Sequence, residues 1–127
     1  MENLTTPVKA VSFSVMTLAH EKHQGADVVR MPPRLDAAAA DRLRADLKSA
    51  VSEGSERLLL DMSAVKFIDS TGLGVIVTAM TAARGRGGSF ALFALPAKVR
   101  SLVELTRLHL VFDIYADEAA ALAAPSP

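Results

Sequence analysis

Leu58-Leu-Leu-Asp61-Met-Ser63-Ala-Val65-Lys-Phe67-Ile68-Asp69-Ser70-Thr71-Gly72-Leu73-Gly74-Val75-Ile-Val77 holds a strand, a return and the opening of a helix. The run from Arg57 to Met62 is short and apolar. It fits a central strand buried on both faces. That strand ends near Asp61, and Phe67-Ile68 brings the chain back. Asp69-Ser70-Thr71-Gly72 then opens a helix running to about Arg84. Asp or Ser there accepts a hydrogen bond from the free N–H groups of the first turn.

In most proteins such a residue is only a structural cap. Three features lift Ser70 above that reading. Gly72 and Gly74 sit in the first turns, where each costs about 1 kcal/mol relative to Ala. A cap alone does not need them: they keep the surface around Ser70 low, or allow close packing on the sheet. Thr71 to Ala83 carries no charge at all. Leu73, Ile76, Val77 and Met80 are assigned to the core, leaving Thr71, Val75, Thr78 and Ala82 as an outward neutral stripe where Lys or Glu is usual. Finally, the helix follows the carboxyl end of a central strand, the edge where open α/β sheets carry function.

Working outward, Val11 to Leu18 alternates at period two as a half-buried strand, and His20 to Gly25 reads as a turn. Ala26 to Met31 reads as a second strand, antiparallel to the first and stopped by Pro32-Pro33. Asp36 is the expected N-cap of a helix carrying Ala39, Leu43, Leu47, Ala50 and Val51 on one face, closed by Gly54. After the central strand and the Ser70 helix, Gly85, Gly87 and Gly88 form a loop, and Ser89 to Leu95 is a strand. Pro96 occupies the first position of a third helix, with Val99, Leu102, Val103 and Thr106 inward. Val111 to Tyr115 is the last strand, and Asp117 caps a short Ala-rich helix. The β-β-α-β-α-β-α-β-α order implies an α/β fold: a mixed, mostly parallel sheet with an N-terminal antiparallel hairpin and about four helices. Residues 1–9 read as a loose lead-in, 10–122 as a single domain and 123–127 as a tail.

The 127 residues suit one domain, and half are apolar. Fourteen basic residues balance fourteen acidic ones, so the charge that drives binding to nucleic acid or anionic membranes is missing. With no cysteine, a thiol nucleophile, a disulfide framework and a Cys-based zinc site are excluded. No stretch reaches the ~20 apolar residues of a membrane helix. The chain therefore reads as a soluble cytoplasmic protein with no cofactor.

The residues Asp61-x-Ser63-x-Val65-x-Phe67-Ile68-Asp69-Ser70-Thr71-Gly72-Leu73-Gly74 resemble the signature of STAS domains, particularly bacterial anti-sigma factor antagonists. Arg34-Leu35-Asp36 and Val103-Glu104-Leu105-Thr106 with Leu108 extend the resemblance to roughly residues 10–122. Pro33 and Arg107 depart from it, each standing where the family pattern has Gly. The resemblance implies that Ser70 is phosphorylated by a partner that is both anti-sigma factor and serine kinase. It further implies that the unphosphorylated form binds that partner and that a serine phosphatase resets the switch. Asp69, Ser70, Thr71, Gly72, Gly74, Val75, Thr78 and Ala82 are then the expected partner-binding residues. The runner-up within the family is a scaffold subunit of a stress-sensing or lipid-transport complex.

Other chemistries fit less well. His20 and His23 lie three apart in an expected loop with no third ligand near in sequence, so a solvated loop is preferred to a metal site. Gly72-Leu-Gly74 lacks the third glycine of a dinucleotide fingerprint. Ser70 has no His near it in sequence and no Gly-x-Ser-x-Gly context, which argues against a serine enzyme. A receiver domain with Asp61 as acceptor needs an acidic pair after the first strand, where this chain has Leu18-Ala-His20.

Overall fold

Three apolar runs in register make the centre of the molecule. The computed structural model describes residues 18–23, 25–53 and 56–124. Strands β1 (His20–His23), β2 (Ala26–Arg30), β4 (Arg57–Asp61), β6 (Ser89–Phe93) and β7 (Asp113–Tyr115) form a five-stranded sheet in the order β1-β2-β4-β6-β7. β1 pairs antiparallel with β2, with His20 opposite Val29 and His23 opposite Ala26; the other pairings are parallel. Two short strands, β3 (Arg34–Leu35) and β5 (Phe67–Ile68), pair parallel in a separate ribbon. The helices are α1 (Ala40–Ser52), α2 (Ser70–Gly85), α3 (Ala97–Leu105) and α4 (Glu118–Ala123). The α/β architecture, with its N-terminal hairpin and four helices, is the one expected.

Period-two alternation within the central strands divides the core. Val29, Leu58, Leu60, Phe90 and Leu92 pack with α1, α2 and α3 through Leu43, Leu47, Leu73, Ile76, Val99 and Val103. Val28, Leu59, Ala91 and Phe93 pack on the opposite side with Ala121 of α4. β4 is therefore buried on both faces, as its sequence requires. Asp117 caps α4 by accepting from the Ala120 amide at 2.8 Å. At the other end the Arg57 guanidinium donates to the Ala121 and Leu122 carbonyls. A cation at a helix C-terminus satisfies free carbonyls and opposes the helix dipole.

The structure revises several local expectations. His20–His23 is a strand rather than a turn. It lies at the sheet edge, exposed, so its register comes from β2 and needs no apolar residues of its own. The strand expected over Val11–Leu18 falls outside the described residues up to position 17. Leu18 itself lies in a bend against the core. Gly54, the expected helix stop, is likewise outside the described residues.

Asp36 does cap backbone, but not α1. Its Oδ1 accepts from the Ala39 amide at 3.1 Å and its Oδ2 from Arg34 Nε at 3.0 Å, closing a turn ahead of the helix. Ala39 stands at the N-cap of α1 without a side-chain hydrogen bond. Pro96 is the N-cap of α3, one position earlier than expected. Gly85 is the last residue of α2 rather than part of the loop. Thr106 is exposed: α3 ends before it, and its hydroxyl donates to the Leu102 carbonyl at 2.9 Å. β7 starts at Asp113 because Val111 and Phe112 are still held in a 3-10 turn over Leu108–Leu110, both amides donating to the Leu108 carbonyl.

Candidate functional site

The site is assembled where β4 ends. Asp61 Oδ1 accepts from the Ser63 amide at 2.9 Å, and Oδ2 from Arg30 at 3.1 Å. Burial pushes the Asp61 carboxyl up, but the bonds from Ser63 and Arg30 outweigh it and leave the group below its usual range. The chain then crosses to the ribbon, where the Lys66 and Phe67 amides both donate to the Pro33 carbonyl, at 2.8 and 3.1 Å. The Asp69 amide donates to the Leu35 carbonyl at 3.1 Å. The Arg34-Leu35 segment thus aims the start of α2.

Asp69 is the N-cap of α2, in extended conformation. Its Oδ1 accepts from the Gly72 amide at 2.9 Å and its Oδ2 from the Ala37 amide at 3.1 Å, so one carboxylate ties α2 to the turn before α1. The Gly72 amide, helped by that of Ala37, holds the Asp69 carboxyl below its usual range against a smaller upward push from burial. Because Asp69 takes the cap, Ser70 is left as the first helical residue, exposed, with Thr71 exposed beside it.

The two glycines serve different ends. A Cβ on Gly72 would lie 1.9 Å from the Leu35 carbonyl oxygen, so only glycine lets α2 meet β3. Among the described residues, a Cβ on Gly74 would meet nothing within 4 Å. Gly74 is the one that leaves open surface near Ser70. Gly72, expected among the partner-binding residues, is buried against the ribbon.

The expected neutral stripe is not one surface. Val75 is 3% exposed and packs in the core, contrary to its outward assignment. Val77, assigned to the core, is only half-buried. With no charge from Thr71 to Ala83, nothing in the sequence marks the solvent side of α2, and packing against α1 sets its rotation. The exposed line runs through Ser70, Thr71, Gly74, Thr78, Thr81 and Ala82. Of these, Thr78 and Ala82 border a cleft against α1 together with Val75. Ser70, Thr71 and Gly74 stay together at the helix start.

One neighbour was not legible. Phe67, expected as half of the apolar pair that brings the chain back, is 45% exposed, and the Arg34 guanidinium lies 4.7 Å from its ring centroid. The two stand opposite each other on paired strands, Phe67 three residues upstream of Ser70. A two-residue strand is too short for period-two alternation to report which face is buried.

His23 lies 3.2 Å from Glu21 and 3.9 Å from Glu118, and potential ligand atoms of the three all lie within 4.8 Å of one another. Arg30 occupies that corner, 2.8 Å from Glu21 and 2.6 Å from Glu118. The bond from His23 and the charge of Arg30 hold the Glu21 carboxyl below its usual range. His20 turns its Nδ1 to the Leu18 carbonyl. Among the described residues no helix is long and apolar enough to cross a membrane.

Residues 17–121 match the STAS domain. The chain is 30% identical over 103 residues to the anti-sigma F factor antagonist of Paenibacillus polymyxa, covering 80% of this chain and 88% of that protein. It is 32% identical over 80 residues to the anti-sigma-B factor antagonist of Listeria monocytogenes, covering 63% and 70%. The crystal structure of an anti-sigma factor antagonist from Mycobacterium paratuberculosis superposes with a TM-score of 0.76 at 27% identity, covering 84% of this chain and 90% of that one. The chain belongs to the STAS domain family.

Proposed function

We propose that this chain is an anti-sigma factor antagonist working as a phosphorylation-controlled binding switch. Unphosphorylated at Ser70, it binds an anti-sigma factor that is also a serine kinase. Phosphorylation of Ser70 releases it, and a serine phosphatase restores the binding form. The chain is substrate and ligand in this cycle and not a catalyst; none of its three histidines stands on β4, β5 or α2.

The observation that carries the reading is the exposed Ser70 at the first position of α2, beside a carboxylate already committed to capping. A phosphate there adds nearly two negative charges where the helix dipole tolerates them. In a complex the same charge loses its water beside Asp69, at a cost the interface does not repay. The fold survives the modification and the complex does not.

The test begins with the kinase that co-purifies with the chain. Ser70→Ala binds it constitutively, and Ser70→Asp binds weakly. Phosphosite mapping after incubation with ATP finds the modification on Ser70. Phosphate on Thr71 or elsewhere, with Ser70 clean, would overturn the assignment.

A further inference from the structure

A half-open cleft of about 410 Å³ lies between α1 and α2. Its floor is apolar: Leu47 and Val51 from α1, and Val75, Ala79 and Ala82 from α2. Its rim is cationic, with Arg44 and Lys48 on α1 and Arg86 just beyond α2. Among the described residues no carboxylate lines it. Asp41 reaches Arg44 from the preceding turn at 2.9 Å, and Arg86 donates to the Val51 carbonyl. Lys48 is exposed. In a chain whose charges sum to zero, three cations border an apolar floor, and among the described residues only Arg44 of these is seen paired with a carboxylate, that of Asp41 behind the rim.

We propose that the cleft docks an acidic amphipathic helix of a protein partner. The small side chains of Ala79 and Ala82 let a third helix approach α2 closely, at the 8–10 Å spacing of packed helices. Arg44 and Lys48 stand at i and i+4 on one helix, a rise of about 6 Å. Glu residues at i and i+4 of a helix lying along α1 have the same rise and meet both cations. The partner's apolar stripe covers the floor between them, the arrangement of helix-in-groove recognition. A fatty acid brings one carboxylate, against the two that such a helix offers to Arg44 and Lys48. None of Asp69, Ser70, Thr71 or Gly74 lines the cleft, so this docking site is separate from the Ser70 switch and does not depend on it.

The test is an amide chemical-shift titration of the full chain with three probes. The first is a synthetic helix of about 16 residues, roughly four turns, with a Leu/Ala stripe flanked by Glu at i and i+4. The second replaces each Glu with Lys, and the third is laurate. The acidic helix is expected to saturate, with shifts confined to residues 44–52 and 75–86. The Lys helix should bind at least about tenfold more weakly. Lys48→Glu, a change at an exposed position that leaves the spectrum folded, should sharply reduce that preference. Failure of the acidic helix to bind at about 1 mM, or equal binding of both helices, overturns the proposal. So does tighter binding of laurate at the same amides, which would make the cleft a lipid site.

Discussion

The carbonyl oxygen of Leu35 lies 1.9 Å from where a Cβ of Gly72 would be. This contact seats the first turn of α2 on the β3–β5 ribbon and so fixes where Ser70 is presented. Gly72→Ala should destabilise the chain by about 3 kcal/mol, since the clashing group is backbone and cannot swing aside. Gly74→Ala, two residues on and with open space around it, should stabilise by up to about 1 kcal/mol through helix propensity. Urea denaturation of the two variants separates them; similar effects from both would refute the packing role of Gly72.

Val75 and Ala82 were expected to share a face, and the structure puts only Ala82 in solvent. Val75→Lys should unfold the chain or cost about 3 kcal/mol or more, because it places an unpaired charge in the core. Ala82→Lys should change stability by less than about 0.5 kcal/mol. Thermal melts of both proteins decide the rotation of α2.

Arg107 stands at φ +64°, in the left-handed region between α3 and the 3-10 turn. This explains why the family pattern has glycine at that position. Arg107→Gly should raise stability by about 1 kcal/mol despite the added freedom of the unfolded chain, a rise of about 4 °C in melting temperature. A neutral or lowered melting temperature would mean that the Arg107 side chain makes a stabilising contact that offsets its strain.

Asp61 and Asp69 both have carboxyls held below the usual range. A depressed folded-state pKa contributes stability that is fully present above the unfolded value of about 4 and is lost as pH falls through the folded value. Stability should therefore be flat from neutral pH to about 4 and fall below it. Asp69→Asn keeps an oxygen to accept from the Gly72 amide but cannot titrate. It should flatten the acid limb of a stability–pH profile without abolishing folding. An unchanged acid limb would show that Asp69 has no part in it.

The run Arg57–Met62 reads as a strand buried on both faces, and the Asp69-Ser70-Thr71-Gly72 start reads as the opening of a helix. These are local matters of period, length and capping, and they were legible together with the order of elements and the family resemblance. The β3–β5 ribbon was not, because two-residue strands have no period to read. Nor was the antiparallel pairing of His20–His23, whose polar residues take their register from β2. Gly72 and Gly74 look alike in one dimension; the carbonyl of Leu35 distinguishes them. The charge-free α2 shows most directly where sequence stops. A helix shows its outside by its charges, and with none from Thr71 to Ala83 the turning of Val75 into the core, against its outward assignment, fell to packing with α1. That rotation separated the Ser70 corner from the cationic cleft, a division that exists only once the two helices are packed.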